Sequence, residues 1–127
     1  MQVLNDFVAV GYGVPTLCSD DLLTINDKPC TPEGPIAVLG PGTGLGQVQL
    51  MWDTGVKGYT AWPSEGSHAG FAPRGQVQRD LLAFAEEELE MPCEIEHVAC
   101  GTGLRRIHRF LSQKHGKTED APVLNCH

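Results

Sequence analysis

Apolar and polar positions along the chain follow two different periods, and each switch between them marks an element. Asn5-Asp6 stands ahead of Phe7, Val8, Val10 and Val14, with Pro15 behind them. Polar capping residues before an apolar run predict a short helix entered at Asn5 or Asp6 and stopped near Pro15. Residues 18–35 are crowded with Asp, Asn, Pro and Gly, so they read as a loop-rich crossing with one short strand at residues 22–25. Ile36-Ala37-Val38-Leu39 is the continuous apolar run of a buried strand, and Gln47-Val48-Gln49-Leu50-Met51 alternates as a second strand. A third strand is expected over residues 57–62, ended by Pro63, and a polar loop over residues 64–74. Residues 75–90 predict the clearest helix, because Val77, Leu81, Phe84, Ala85 and Leu89 recur at helical steps. Glu86, Glu87, Glu88 and Glu90 crowd its end, against the helix dipole, and Pro92 closes it. Residues 96–100 read as a short strand. Gly101-Thr102-Gly103 then opens a helix over residues 104–114, with Leu104, Ile107, Phe110 and Leu111 as its buried stripe.

Composition narrows the class. The chain has 127 residues, 41% hydrophobic and 20% charged, which suits one globular domain. A net charge of −7 argues against nucleic acid or anionic membrane as partner. Arg105, Arg106, Arg109, Lys114 and Lys117 cluster near the C-terminus and read as the solvated face of a helix. The five cysteines (18, 30, 93, 100 and 126) form no C-x-x-C pair, and the histidines are scattered. No metal site is therefore expected, and the cysteines read as reduced thiols of an intracellular, cytoplasmic protein. There is no membrane-length apolar run and no signal-peptide pattern at Met1-Gln2-Val3.

Candidate chemistry begins at Gly40-Pro41-Gly42-Thr43-Gly44-Leu45-Gly46, between two predicted strands. Glycines at this spacing allow left-handed turns and close approach, and bare amides in such a turn suit phosphate oxygens. A strand follows rather than a helix, and no Gly-Lys-Ser/Thr is present, so neither a Rossmann turn nor a Walker A loop is indicated. A phosphate-binding hairpin and a ligand-free glycine hairpin both fit. Asn5-Asp6, Ser64-Glu65-Gly66-Ser67-His68 and Glu96 are the other polar clusters. Each taken singly has a plain reading as a cap, a loop polar or a surface charge.

Their succession is more specific. "LNDFVAVGYGVPTL", "IAVLGPGTGLG", "YTAWPSEGSHAGFAPR" and "CGTGLRRIHRF" occur in that order, and residues 3–112 resemble bacterial-type glucokinase, an ATP-dependent hexose kinase of the actin/hexokinase superfamily. The run from Pro63 to Pro73 is the most specific part. The resemblance implies an α/β fold, a partial actin-like/ribonuclease H-like ATPase with a mixed sheet and flanking helices. It implies transfer of a phosphoryl group from ATP, with Mg²⁺ carried by the nucleotide, to the 6-hydroxyl of D-glucose. Asp6 corresponds to the base that accepts the hydroxyl proton. Asn5, Asp6, Glu65, His68 and Glu96 correspond to residues that hold sugar hydroxyls. Gly42, Thr43 and Gly44 match a phosphate loop, and Gly101, Thr102 and Gly103 match the turn that faces adenosine. A homodimer is the association that the family suggests.

The sequence departs from the family pattern at Ser67, where glycine is usual, at Gly70, where aspartate is frequent, and at Cys100, which replaces serine. Family members also carry an Asp-Gly-Gly-Thr loop ahead of the Asn-Asp pair and a late Gly-Gly nucleotide turn. Residues 1–16 are thus expected to end a small domain and its hinge, and residues 17–127 to open an incomplete large domain. The rival readings are a non-catalytic glucose-binding remnant or regulatory fragment, and an α/β domain without a ligand.

Overall fold

The computed structural model describes residues 5–116. Residues 1–4 and 117–127, which include Lys117, Cys126 and His127, lie outside the described residues. The elements run α1 (Asp6–Gly13), β1 (Ile36–Pro41), β2 (Leu45–Asp53), β3 (Gly58–Ser64), α2 (Gly75–Leu89) and α3 (Gly101–Lys114), with 3-10 turns at Val14–Thr16, Ser19–Asp21 and Gly66–His68. The strands form an antiparallel sheet in the order β1-β2-β3. A mixed sheet needs parallel partners as well, and none is among the described residues. The chain divides into two compact units. The first comprises residues 1–40 and 46–65, and the second comprises residues 41–45 and 66–127.

In the first unit α1 begins where the sequence places it. Asn5 is an extended N-cap whose Oδ1 accepts from the amides of Phe7 and Val8, at 2.9 and 3.2 Å. The helix packs on β3. Gly11 makes the approach to the sheet possible, since a Cβ there would lie 2.8 Å from Val48 Cγ1. Val8, Val48 and Leu50 are the buried core. Phe7 fixes the start of the helix, because its ring occupies the space that a Cβ at Gly40 or Gly46 would take. β3 continues past Pro63, which pairs with Val48. Proline is tolerated here because β3 is an edge strand and needs no second ladder of donors. The strand expected at residues 22–25 does not form. Leu23 and Ile25 are almost fully exposed, and a strand without a partner has no ladder to hold it.

In the second unit α2 and α3 pack together through Leu81, Ala85 and Phe110, with the Phe84 and Phe110 rings 5.7 Å apart. Val77 lies outside this contact and is exposed. α2 ends at Glu90 in a left-handed conformation, φ 54°, one residue after its last helical turn. The stripe expected on α3 is rotated: Leu104 and Leu111 are exposed, whereas Gly103, Arg106, Phe110 and Ser112 are buried. The arginine run is therefore not wholly a solvated face. Arg106 donates from Nη1 to the His97 carbonyl and from Nη2 to Glu88 Oε1, and Arg109 pairs with Glu88 Oε2 at 3.2 Å. The acidic end of α2 opposes its own dipole, but Glu88 uses its charge on two cations of α3. Lys114 binds Asp80 at 2.6 Å and, with Gln76, holds that carboxyl below its ordinary range. No helix among the described residues is long and apolar enough to cross a membrane.

Removing Glu88 strands a buried guanidinium, whereas Arg109 is half-exposed. Glu88→Ala is expected to lower stability by about 2 kcal/mol and Arg109→Ala by less than about 1 kcal/mol, as read from urea unfolding. A larger loss for Arg109→Ala would contradict this geometry. Cys93 is buried, and burial pushes its thiol up, outweighing the opposite pull of Arg106. Alkylation of the native chain should therefore label exposed Cys18 and Cys30 well before Cys93, by peptide mass mapping.

Candidate functional site

The hairpin tip Pro41–Leu45 belongs to the second unit, and three backbone-level contacts shape it. The Gly42 amide donates to the Gly44 carbonyl at 2.8 Å and closes the tip. The Gly101 amide donates to the Gly42 carbonyl at 3.0 Å. The Leu45 amide donates to Glu96 Oε2 at 2.8 Å. The glycines divide by their neighbours. A Cβ at Gly44 would sit 2.5 Å from Glu96 Oε2, and one at Gly103 would strike the Val98 backbone at 2.6 Å. At Gly42 a Cβ would meet nothing within 4 Å. None of the hairpin glycines has positive φ, so the left-handed turns that this spacing allows are not used. The glycines serve close approach instead.

Glu96 does not begin a strand. Residues 94–99 form a tight turn, with His97 N–H donating to the Glu94 carbonyl and Val98 and Ala99 N–H donating to Ile95. These short-range bonds satisfy the backbone locally and compete with strand pairing. Ahead of that turn the segment is tied to residues 67–71. Phe71 N–H donates to the Cys93 carbonyl, Ile95 N–H to Ala69 and Glu96 N–H to Ser67, at 2.8, 2.8 and 3.0 Å. Ser67, the departure from glycine, is buried within this tie, and Gly70 bridges Glu94. His68 Nδ1 lies 2.7 Å from Glu94 Oε2. At the start of α3, Cys100 Sγ lies 3.1 Å from Thr102 Oγ1, so the thiol stays within hydrogen-bonding reach of that hydroxyl.

The second unit thus brings together Glu96 with Gly44, Gly42 with Gly101, Cys100 with Thr102, and His68 with Glu94. The first unit holds Asn5 and Asp6 at the start of α1 and Glu65 directly after β3. Asp6 Oδ1 accepts from the Phe7 amide at 2.8 Å, and both Asp6 and Glu65 are exposed. Because Asn5 Oδ1 caps the helix, Asn5 can offer a ligand only its Nδ2 donors. Glu94 and Arg106 are the residues missed in the sequence. The signal for Glu94 was its place two residues before Glu96 in Cys93-Glu94-Ile95-Glu96-His97. Nothing in spacing alone marks Arg106 as the buried member of its run.

Two alanines in one loop test the division of glycines. Gly44→Ala displaces the Glu96 carboxylate from the Leu45 amide and should cost about 1–3 kcal/mol, whereas Gly42→Ala should stay within about 0.5 kcal/mol of wild type. Equal losses in denaturant unfolding would contradict the packing described.

Comparison with known proteins bears on the family and the fold. A family model described as glucokinase matches residues 1–124. The glucokinase of Synechocystis sp. is 38% identical over 122 residues, covering 95% of this chain and 34% of that protein. That of Nostoc sp. is 39% identical over 124 residues, covering 97% and 36%. The crystal structure of a glucokinase from an Antarctic psychrotroph superposes with a TM-score of 0.78 at 28% identity, over 94% of this chain and 36% of that one. The glucokinase of Balamuthia mandrillaris, solved in complex with glucose, superposes with a TM-score of 0.61 at 27% identity, over 74% and 27%. The chain thus spans about a third of the length of the curated relatives it matches. With the family matched along nearly all of its residues and the glycine hairpin, His68 turn and Glu96 turn tied into one compact unit, the chain belongs to the glucokinase family.

Proposed function

We propose that the chain is part of an ATP-dependent glucokinase that phosphorylates D-glucose at its 6-hydroxyl. Family membership supports the reaction, and the glucose-bound relative supports the sugar as substrate. The observation that carries the reading is the hairpin tip, held by Glu96 and Gly101 while Gly42 stays open to close approach. In this reading residues 1–16 end the smaller domain and residues 17–127 open the larger one. A homodimer is the proposed association and the cytoplasm the proposed compartment.

Each residue has a chemical part. Asp6 is the proton acceptor for the attacking hydroxyl. Asn5 donates to a hydroxyl through Nδ2. Glu65, His68 and Glu96 satisfy other hydroxyls, and a sugar lacking one would leave a polar group stranded. The Gly42 and Leu45 amides are engaged within the protein, so a phosphate at the tip would be met by the amides of Thr43 and Gly44. Gly101, Thr102 and Gly103 would face the adenosine. Glu96 places a carboxylate under the phosphate loop, a like charge that a bare polyphosphate would oppose. Mg²⁺ carried by the nucleotide would supply charge neutralisation there. The protein's own contribution is alignment and one base.

Glucose-dependent release of ADP from ATP by the chain is the test. Asp6→Ala should lower turnover about 10²- to 10⁴-fold while unfolding close to wild type. Gly42→Ala should keep its stability and lose ATP affinity. Turnover of Asp6→Ala near wild type would remove Asp6 as the base. Thermal stabilisation by glucose without ADP release would instead identify a glucose-binding module of the same family.

A further inference from the structure

His68 closes the 3-10 turn Gly66–His68, and the Glu94 carboxylate meets its ring at 2.7 Å, Oε2 to Nδ1. Glu94 is not a loosely held surface acid. The Cys93 carbonyl before it and the Ile95 amide after it are bound to Phe71 and Ala69. Its own amide donates to His97 Nδ1 at 3.0 Å. An ionised carboxylate has no proton to give, so Nδ1 of His68 must be the donor in this pair. In a neutral ring the acceptor role then falls to Nε2. His97 stands the other way: its Nδ1 accepts, so its ring proton is on Nε2. One residue thus holds two histidines in opposite tautomers, His68 through its side chain and His97 through its backbone. His68 is 53% exposed at its side chain, so a ligand can reach the ring.

We propose that Glu94 is a positioning residue for His68, fixing the Nδ1–H tautomer and the ring direction so that Nε2 accepts a hydrogen bond from a ligand hydroxyl. The inference rests on the reading of His68 as a sugar-holding residue. It adds the direction of that hydrogen bond: His68 accepts, and the sugar hydroxyl donates. It also assigns a role to an acid that the family motif does not include.

Ring-nitrogen NMR of the ¹⁵N-labelled full chain at about pH 8.5, above the ordinary histidine range near pH 6.5, tests this directly. His68 should be protonated at Nδ1 and His97 at Nε2. In Glu94→Ala, His68 should revert to Nε2–H, while His97 keeps its tautomer because the residue 94 amide remains. Glu94→Gln, whose amide oxygen can still accept, should retain Nδ1–H on His68. Glucose affinity should fall about tenfold in Glu94→Ala, the scale of one lost hydrogen bond. The double variant His68→Ala/Glu94→Ala should lose no more than His68→Ala alone, because Glu94 acts through the ring. A proton on Nε2 of wild-type His68, as neutral ring or as imidazolium, overturns the proposal. So does unchanged glucose affinity in Glu94→Ala. A wild-type chain with the expected tautomer and no affinity for glucose supports the tautomer assignment and removes the sugar-holding reading of His68.

Discussion

Glu96 reaches the Leu45 amide only because Gly44 has no side chain. That one bond links the turn after residue 93 to the tip of the glycine hairpin, and the Gly101–Gly42 bond beside it makes a second tie. The same device recurs in the other unit, where Gly40 and Gly46 leave room for the Phe7 ring and so fix the start of the helix bearing Asn5 and Asp6. A tip whose amides are already paired at Gly42 and Leu45 is shaped before any ligand arrives. Less ordering is then left to be done on binding.

Much of this was legible in the sequence and some was not, for identifiable reasons. The Asn5 cap, the two hairpin strands and the helix ending near Glu90 each rest on local signals, and local signals survive folding. Residues 22–25 have the composition of a strand, but pairing is a property of a second segment and cannot be read from one. Residues 96–100 failed for a related reason: backbone bonds to residues 67–71 stop at Glu96, and a local turn takes over. On α3, Leu104 and Phe110 carry equal apolar weight in the sequence. Only the position of α2 decides that Phe110 is covered and Leu104 is not. The glycines were recognised as special, yet the physical reason was closeness to Glu96 and Phe7 rather than left-handed backbone.

Site residues were harder to read than elements because their roles depend on partners far along the chain. His68 and Glu94 are 26 residues apart, and Leu45 and Glu96 are 51 apart. The family motif supplied Glu96 and His68 as candidates. The carboxylate that orients the histidine belongs to no such motif and emerges only from the fold.

Polar contacts continue from that carboxylate into the helices. The Glu94 amide holds the His97 ring, the His97 carbonyl accepts from Arg106, and Arg106 shares Glu88 with Arg109. Arg106 is buried, and Glu88 and the carbonyl of His97 meet its charge, while its Nε has no partner among the described residues. A buried guanidinium held this way is a rigid support, since each alternative position would strand its charge. The turn carrying Glu94 and Glu96 is thus fixed from two sides, by backbone bonds to residues 67–71 and by an arginine of α3. Helix packing remote from His68 therefore sets where the Glu94 and Glu96 carboxylates stand. In the proposed sugar-holding role of His68 and Glu96, changes at the α2–α3 contact should act on glucose binding through geometry alone, with neither of those two residues altered.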